Sequence, residues 1–577
     1  MDCSYDRRYT QYQRGHYYKL TAISKVKKTA VFKIISVLLP LVLIVLLEIV
    51  LRIIGYGETY NLFNKTKGEN GIEYLTLNSH ISKKYFKNTG FNSDNQSDLF
   101  LSQKTDSTFR IFVQGASTTV GFPFYRGASF PRLLKQRLEK TFPEKNIEVI
   151  NTGITAVNSY TLWDITPEII AQKPDLVLIY AGHNEYYGAL GVGSSASVGN
   201  HPFLIRSYLK LKNFKFFQLL ENTFQKITQR DQNNLKTVKE TTLMEVLAKE
   251  QQIPFGSKAY LAGLQQYEQN LGRILSYYKK HNIPVILSTL VSNEKDTAPF
   301  ISPSLNIEYY KKLCEKDLST AKTKAQHNAM ASYVLGHYFF KKNQLDTAKH
   351  YFHQAKELDL LRFRAPEAIN TVIRQFSKEE NIPLVDIKAL FESKSPSKTV
   401  GKSLLTEHVH PNVEGYFLMA DAFYTKLEKL RLIGDWKNKI NYPQAFSNLP
   451  TTKIDSIRGT IILKELQQQW PFTLNTPKPD ANNSILYRPT SFEERMAWNI
   501  HQGKQKWEDA MRQAYHFYTK KGDFKNALTV VETLLFEYPE QWRVHKMAEE
   551  TCLRLSDTLT ANYYANKKTK LKAMKPN

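Results

Sequence analysis

Cysteine is scarce in this chain of 577 residues, which contains only Cys3, Cys314 and Cys552. Three widely separated cysteines exclude a disulfide framework and a four-cysteine zinc site. The chain also lacks the polar, low-complexity composition of disordered proteins, because 42% of its residues are hydrophobic and 12% are aromatic. This apolar content is enough for packed cores, and the length predicts roughly three to four domains.

Acidic residues are also few, since 54 Asp and Glu residues stand against 79 Lys and Arg residues and give a formal net charge of +25. Such a charge favours anionic surfaces, including membranes, acidic glycans and nucleic acid. The sequence contains no basic helix interleaved with base-stacking aromatic residues. Together with the exported location inferred below, this predicts that nucleic acid is not a partner.

One apolar segment, residues 31–54, is long enough to cross a bilayer, which takes about 20 helical residues. Basic residues are concentrated before it, and few follow it. The positive-inside rule therefore places a basic segment, residues 1–30, in the cytoplasm and the rest of the chain in the periplasm or at the cell surface. A signal peptide cleaved near Gly55 to Gly57 is the alternative. The long basic lead favours an uncleaved, single-pass signal-anchor.

Five short β-branched runs alternate with helical patterns after a polar connecting segment, residues 55–108. Buried strands separated by helices predict an α/β domain over residues 109–427, with a parallel sheet between two helical layers. In such sheets ligands bind at the carboxyl ends of the strands. The five predicted strands are Phe109–Gln114, Ile147–Asn151, Asp175–Tyr180, Pro284–Thr289 and Pro383–Ile387.

Two helical insertions interrupt this domain, at residues 200–263 and 329–362. The second insertion and the terminal segment, residues 506–577, place small and aromatic residues at the spacing of 34-residue helical repeats and resemble tetratricopeptide repeats. Ordinary amphipathic hairpins are the alternative. Repeats would allow a protein partner to bind. Residues 428–505 contain several prolines and no clear period, which is typical of a linker.

Three loops at predicted strand ends carry candidate functional residues. Ser117 follows the first strand at a strand-to-helix turn, where backbone N–H groups and a helix dipole can stabilise negative charge. Asn184 follows the third strand and can donate its side-chain amide to an oxyanion, and the small residues of the Asn151–Ala156 loop allow close approach of a backbone N–H. Each of the three loops, taken alone, also fits an ordinary turn or helix cap.

A fourth block lies near the end of the domain and contains Glu407, His408 and His410. His410 can act as a general base for a serine, and Glu407 can orient its other ring nitrogen. The alternative is a metal bound by His408 and His410 with Glu407 or His183. Because no helix-borne pair at metal-ligand spacing accompanies them, we predict no metal and no cofactor.

The order of these blocks resembles the SGNH hydrolases, also called the GDSL lipase/acylhydrolase family. The four blocks of that family match Ser117, the Asn151–Ala156 loop, Asn184 and His410, and the resemblance covers about residues 109–427. It implies a flavodoxin-like, three-layer fold with a parallel sheet. Residues 173–175, 182–188 and 361–366 are similar to a subgroup whose members also carry tetratricopeptide repeats.

The resemblance implies a catalytic triad of Ser117, His410 and Glu407. It also implies an oxyanion hole made by the N–H groups of Ser117 and Ala156 and by the amide of Asn184, so that Asn184→Ala slows turnover by about 10²–10³. The chain departs from the family where Ala116, Ala156 and Glu407 replace the usual Asp, Gly and Asp. Asp386 is the alternative acid. Possible pocket residues are Gly153, which is also the alternative oxyanion donor, His183, Tyr186 and Arg364.

The function implied is that of a membrane-anchored serine esterase, which cleaves an ester of a lipid or an acylated glycan through an acyl-enzyme. An O-acyltransferase would use the same triad. A scaffold from a different class, in which the hydrolase fold is inert and the repeats bind a protein partner, is the further alternative. The three hypotheses differ in whether Ser117 is nucleophilic and in which molecule finally accepts the acyl group.

Overall fold

A computed structural model of the chain describes residues 32–68, 71–86, 98–194, 201–228, 243–248, 252–473 and 487–573. The predicted cytoplasmic segment, residues 1–30, lies outside this range. The chain divides into two compact units. The described part of the first unit consists of residues 32–60 and 207–228, and the second unit contains all other described residues.

The strands are β1 (Phe63–Lys67), β2 (Glu73–Leu77), β3 (Phe100–Leu101), β4 (Thr108–Gly115), β5 (Asn146–Asn151), β6 (Leu176–Tyr180), β7 (Val285–Ser288) and β8 (Leu384–Val385). The helices of the first half are α1 (Phe32–Ile53), α2 (Ser82–Tyr85), α3 (Ser117–Val120), α4 (Phe130–Thr141), α5 (Ser159–Ala171), α6 (Pro202–Leu211), α7 (Lys215–Thr228), α8 (Leu243–Ala248) and α9 (Lys258–Lys280). Those of the middle are α10 (Ile307–Lys316), α11 (Leu318–Ala325), α12 (Ala329–Lys341), α13 (Leu345–Leu358), α14 (Glu367–Glu379), α15 (Ile387–Lys394) and α16 (Val413–Leu430). The remaining helices are α17 (Tyr442–Ser447), α18 (Lys453–Gln467), α19 (Phe492–His501), α20 (Trp507–Lys520), α21 (Phe524–Glu537), α22 (Trp542–Arg554) and α23 (Thr558–Ala573).

In the first unit, α1 has 22 residues and a mean hydropathy of 3.1 in its most apolar window, of which only 6% is buried. It is the one helix within the described ranges that is long and apolar enough to cross a membrane. A signal sequence near an amino terminus has the same character. Helix α7 belongs to the same unit.

The second unit is built on a five-stranded parallel sheet with the strand order β5-β4-β6-β7-β8. All five predicted strands of the α/β domain are confirmed, although β8 is only two residues long. Central strands of a parallel sheet are covered on both faces, so they read as continuous apolar runs, and this is the pattern that predicted them. In β4, residues Ile111 to Val113 are fully buried.

Helices cover both faces of this sheet. Helices α4 and α16 pack together on one face, and α5, α9 and α14 pack on the other. The chain moves from β4 outward to β5 and then crosses back past β4 to β6, and right-handed crossovers in opposite directions place their helices on opposite faces. The predicted three-layer α/β fold is therefore confirmed. The reversal of strand order at β4 creates a crevice at the carboxyl end of this strand.

A small antiparallel sheet, β1-β2-β3, precedes the parallel sheet in the segment that we interpreted as connecting. It is bonded to the parallel sheet through Arg110 of β4, whose guanidinium donates to the Leu101 carbonyl at 2.7 Å and pairs with Glu148 of β5 at 2.6 Å. Both charged side chains are buried. The mixed polar and apolar character of β1 and β2 gave no strand signal in the sequence.

Two helical assemblies accompany the sheet. Helices α10 to α13 form the first assembly and lie between β7 and β8 in the sequence. In it, α12 and α13 form a hairpin in which Gly336 packs against the Phe352 ring. Helices α18 to α23 form the second assembly. Residues of α18 and α19 contribute to its core, although they fall in the segment that we interpreted as a linker. Whether either assembly is a true tetratricopeptide array stays a prediction.

Candidate active site

Ser117 lies at the crevice predicted by the strand order. β4 ends at Gly115, and α3 begins at Ser117 itself, so the serine opens a helix directly at the carboxyl end of the central strand. The turn requires glycine at position 115, because a Cβ there would lie 1.9 Å from Thr119 Oγ1 and 2.5 Å from the Tyr180 carbonyl oxygen. Ser117 is 9% exposed and can therefore meet a ligand only from the crevice side.

His410 reaches Ser117 from a turn just before α16. Its Nε2 lies 2.7 Å from Ser117 Oγ, and its Nδ1 lies 2.5 Å from Glu407 Oε1. The turn is fixed at both ends, since Leu405 and Pro411 form an antiparallel bridge and Asn412 caps α16 by accepting the Gly415 N–H at 2.8 Å. The structure thus brings together the three side chains proposed as a triad, although 293 residues separate Ser117 from His410.

The Glu407 carboxylate is held from several sides. Besides the His410 ring, Oε1 accepts the His410 backbone N–H at 2.7 Å. Oε2 contacts Nδ1 of His408, so two imidazole rings donate to one carboxylate. Glu407 is 2% exposed. Asp386, the alternative acid, instead accepts from Thr289 Oγ1 at 2.8 Å and caps α15, so it is occupied elsewhere.

Burial keeps the histidines of this site neutral. It lowers the pKa of His410 to about 3 and the pKa of His408 well below its ordinary value. Burial, and secondarily the neighbouring His410, also lowers the pKa of His183 to about 3. A neutral His410 that donates Nδ1–H to Glu407 presents a lone pair on Nε2 to the serine hydroxyl. This is the tautomer that a general base requires.

The loops after β5 and β6 flank the serine. They are bonded to each other, because the Ala189 N–H donates to the Ala156 carbonyl at 3.3 Å. Ala156 has φ +60°, and its N–H donates no hydrogen bond within the described part of the chain. The half-buried side chain of Asn184 likewise makes no hydrogen bond to any described residue. Both groups are therefore available as donors to a bound molecule.

Gly153, the alternative oxyanion donor, is already engaged. Its N–H donates to Asn151 Oδ1 at 2.9 Å, and the Asn151 amide donates to the Thr119 carbonyl of α3 at 2.7 Å. A Cβ at position 153 would also lie 2.9 Å from the Val120 nitrogen. Gly153 thus fits a role in packing the β5 loop against α3, which leaves Ala156 as the freer donor.

The predicted pocket residues fall in different places. His183 is buried close to His410, and its Nδ1 accepts the Ala365 N–H at 3.2 Å. Tyr186 instead packs against Gly263 of α9 and donates its hydroxyl to the Tyr260 carbonyl at 3.1 Å. The structure therefore places Tyr186 in the contact with α9 and not beside the serine.

Arg364 is buried, and both terminal nitrogens of its guanidinium bond to the protein. Its guanidinium pairs with Asp359 at 2.9 Å and donates to the carbonyls of Asn293 and Thr297 at 3.0 Å each. Asp359 in turn accepts the N–H groups of Phe300 and Ile301. Arg364 thus positions the loops that lie next to His408. No part of this hydrogen-bond network could be predicted from the local sequence.

An aromatic wall around the two histidines was not predicted. The Phe122 ring lies 4.6 Å from the His410 ring, and Tyr416 donates to the Phe122 carbonyl at 2.6 Å. On the other side, the rings of Phe300 and Phe472 lie 5.4 Å and 5.5 Å from the His408 ring. Phe472 follows α18, and no sequence signal connects this segment to the site.

Glu407, His408 and His410 also bring potential metal ligand atoms within 4.8 Å of one another. The atoms concerned are engaged, because both Nδ1 atoms face the Glu407 carboxylate and His410 Nε2 faces Ser117. A metal would have to replace these hydrogen bonds. The donor set therefore fits a carboxylate–imidazole–hydroxyl relay better than a metal centre.

The family model of the GDSL-like Lipase/Acylhydrolase matches residues 111–423. No curated protein matches the chain. Similar solved structures include a GDSL-like lipase from Bacteroides thetaiotaomicron VPI-5482, with 14% identity, 57% of this chain and 93% of that chain covered, and a TM-score of 0.27.

They also include two acetyl xylan esterases. The first has 14% identity and a TM-score of 0.27, and the match covers 55% of this chain and 98% of that one. The second, a catalytic mutant from Geobacillus stearothermophilus, has 17% identity and a TM-score of 0.26, over 58% of this chain and 98% of that one. The assignment rests on the family model, which spans more than half of the chain. The chain belongs to the GDSL-like lipase/acylhydrolase family of ester-bond hydrolases.

Proposed function

We propose that the chain is a membrane-anchored, extracytoplasmic serine esterase that cleaves an ester of a lipid or an acylated glycan through an acyl-enzyme. The observation that carries the proposal is the continuous relay from Ser117 Oγ to His410 Nε2 at 2.7 Å and from His410 Nδ1 to Glu407 at 2.5 Å. This arrangement activates a serine hydroxyl as a nucleophile. The net charge of +25 favours a substrate on an anionic surface.

In the first half-reaction, Ser117 Oγ attacks the ester carbonyl carbon while His410 Nε2 takes the hydroxyl proton. Glu407 stabilises the resulting imidazolium and keeps Nδ1–H directed at itself. The negative oxygen of the tetrahedral intermediate is met by the N–H groups of Ser117 and Ala156 and by the Asn184 amide. His410 then returns the proton to the leaving alcohol, and the acyl group stays on Ser117.

In the second half-reaction, water takes the place of the alcohol. His410 removes a proton from the water as its oxygen attacks the acyl-enzyme, and the collapse of the second intermediate releases the acid and regenerates Ser117. Because His183 and His408 are buried and neutral beside His410, neither ring adds a positive charge that would oppose the transient imidazolium.

The membrane anchor is part of the proposal. The 22-residue apolar helix α1 supports it by its length and composition, and the basic residues before α1 support a cytoplasmic amino end. The active-site residues all follow α1 in the chain, so the same orientation places them outside the cytoplasm.

The test is hydrolysis of short-chain and long-chain p-nitrophenyl esters by the full chain in detergent. We expect turnover by the parent and a loss of at least about 10³-fold in Ser117→Ala and in His410→Ala. Ser393→Ala, which changes an exposed serine on α15, is the matched control and should hydrolyse like the parent. Equal rates in Ser117→Ala and the parent, with both proteins folded, would reject the proposed nucleophile.

A further inference from the structure

A cavity of about 310 Å³ lies between the α/β domain and the terminal helices. One wall consists of residues from β3, α4 and the start of β5, and the other of residues from α21, α22 and α23. Small-molecule sites have volumes of roughly 300–1,000 Å³, so the cavity can hold a small ligand. Because β4 and β5 are parallel, the start of β5 lies at the opposite end of the sheet from Ser117. The cavity is therefore separate from the catalytic crevice.

Lys135 of α4 brings a buried positive charge to this cavity. It is 6% exposed, and its side chain makes no ion pair or hydrogen bond with any residue in the described part of the chain. Lys140, further along α4, differs because it pairs with Glu532 at 2.7 Å. Lysines are almost never fully buried unless an anion pairs with them. Lys135 therefore requires a counter-charge that the described residues do not supply.

A second ammonium group, that of Lys567 on α23, lines the same cavity from the opposite wall. Burial lowers the pKa of Lys567. Glu139 opposes this shift, whereas Lys135 and Lys570 add to it by repulsion. Lys135 and Lys567 therefore lie close enough for their positive charges to repel each other across the cavity. An anion bound between them would be attracted by both.

His545 of α22 adds a buried acceptor to the cavity lining. It is 7% exposed, its Nε2 donates to the Pro539 carbonyl at 2.9 Å, and its Nδ1 is buried without a hydrogen-bond partner among the described residues. Burial, and secondarily Lys567 and Lys135, lowers the pKa of His545 to about 4, so the ring is neutral and Nδ1 carries a lone pair. A buried polar atom without a partner costs free energy, which a bound donor would recover. The ligand should therefore combine negative charge with a donor hydroxyl.

Five acids also line the cavity, but they do not neutralise Lys135. Glu148 pairs with Arg110 at 2.6 Å, and Glu532 pairs with Lys140. The other three acids are half-buried or exposed, namely Glu139, Glu144 and Glu540. Much of the remaining lining is apolar and suits an apolar ligand body, and it includes Leu99, Phe100, Leu535, Phe536 and Leu571.

We propose that this cavity binds a phosphate monoester with a small apolar body. The phosphate oxygens accept from the Lys135 and Lys567 ammonium groups, and the P–OH of the monoanion donates to His545 Nδ1. An ionised carboxylate would also attract the two lysines, but it has no hydroxyl to donate. The ligand would bridge the α/β domain and the terminal helices. The proposal uses no part of the proposed esterase chemistry, so it stands or falls separately from the catalytic site.

The test is isothermal titration calorimetry of hexyl phosphate into the full chain in phosphatidylcholine nanodiscs, with protein-free nanodiscs as the blank. The measurement is made at about pH 6, where much of a phosphate monoester is the monoanion. We expect saturable binding at one site. Hexanoate lacks the donor hydroxyl, 1-hexanol lacks the charge, and glucose 6-phosphate lacks the apolar body, so we expect each to bind at least about tenfold more weakly.

Lys135→Met and Lys567→Met should each weaken the binding of hexyl phosphate at least about tenfold. Lys316→Met, which changes an exposed lysine on α10, is the matched control and should bind like the parent. Thermal unfolding without ligand shows whether each variant is folded. The proposal would be overturned if hexyl phosphate did not bind the parent, or if both folded cavity variants bound it like the parent. Equal or tighter binding of hexanoate, 1-hexanol or glucose 6-phosphate would overturn the assigned ligand class.

Discussion

The Glu407 carboxylate is the most constrained group of the site. It accepts from two imidazole rings and from the backbone of the turn that carries His410, so its position fixes both the orientation and the tautomer of the proposed base. The motif spacing predicted the pairing of Glu407 with His410. It did not predict the contact with His408, because neighbouring residues in a loop have no fixed relative direction that a sequence pattern could reveal.

We expect Glu407→Gln to lower kcat by about 10²–10⁴-fold with little change in KM. An amide of the same shape presents one donor and one acceptor to two Nδ1–H groups, so one of the two rings must change tautomer. Steady-state kinetics on a soluble ester measures this, and Asp386→Asn is the control because its carboxylate caps α15 instead. If Asp386→Asn lost activity while Glu407→Gln kept it, the acid would be misassigned.

The pH dependence follows from the low pKa of about 3 of the buried His410. A general base must be neutral, so activity is present above its folded-state pKa and is lost below it. We therefore expect kcat/KM to stay level as the pH falls through 6.5, the ordinary histidine value, and to decline only towards pH 3. Initial rates measure the loss of activity, and circular dichroism at each pH shows whether the protein is still folded. An acidic limb centred near 6.5 in folded protein would contradict the assignment.

Among the secondary-structure elements, the sequence predicted the strands that form continuous apolar runs. It did not predict the elements in which buried and exposed positions are mixed. The five strands of the parallel sheet could be predicted because both of their faces are buried, which makes each strand a continuous apolar run. β1 and β2 were not, because their exposed and buried positions do not alternate regularly. Helices α18 and α19 were missed because α18 buries residues on several sides, including Ile454, Gly459 and Ile461, and so shows no single apolar stripe.

The turn from β4 to α3 is an element-scale feature that can be tested. Gly115→Ala would place a methyl group against Thr119 Oγ1 and the Tyr180 carbonyl, so α3 must shift away from β6. We expect a loss of about 1–3 kcal/mol in the free energy of unfolding. Because Ser117 is the first residue of α3, we also expect about 10²-fold lower kcat from its displacement.

Denaturant unfolding and ester hydrolysis measure the two effects on Gly115→Ala. Gly503→Ala is the control, since that glycine also has a left-handed φ of +66° but open space around it. It should lose some stability and no activity. Parent-like stability and turnover in Gly115→Ala would show that the turn tolerates a side chain and would remove the steric argument for Gly115.

At the scale of the whole molecule, the second unit joins its sheet and its terminal helices through buried charges on α4. Arg132 is fully buried and pairs with Asp98 at 2.9 Å and with Glu537 of α21 at 2.7 Å. Lys140, two turns further along α4, pairs with Glu532 at 2.7 Å. Local patterns predicted helices in both regions. They could not predict the contact between Arg132 and Glu537, which are 405 positions apart in the sequence.

We expect Arg132→Ala to lower the free energy of unfolding by about 3–5 kcal/mol, because it leaves the buried Asp98 without its arginine partner and Glu537 with only Arg126, at 3.3 Å. Lys311→Ala, which removes an exposed ion pair with Glu308, is the control and should cost less than about 1 kcal/mol. Urea titration followed by fluorescence measures both variants. A cost for Arg132→Ala as small as that of the control would mean that the terminal helices dock without this network.

Fluorophosphonate labelling of the full chain, followed by peptide mass spectrometry, tests most directly whether Ser117 is an activated nucleophile. The reagent reports an activated serine and needs no knowledge of the substrate. We expect a single adduct on Ser117 that disappears in His410→Ala and persists in Ser393→Ala. The proposed relay from Ser117 to His410 would be contradicted by folded protein that forms no adduct on Ser117. An adduct that survives in His410→Ala would contradict it as well.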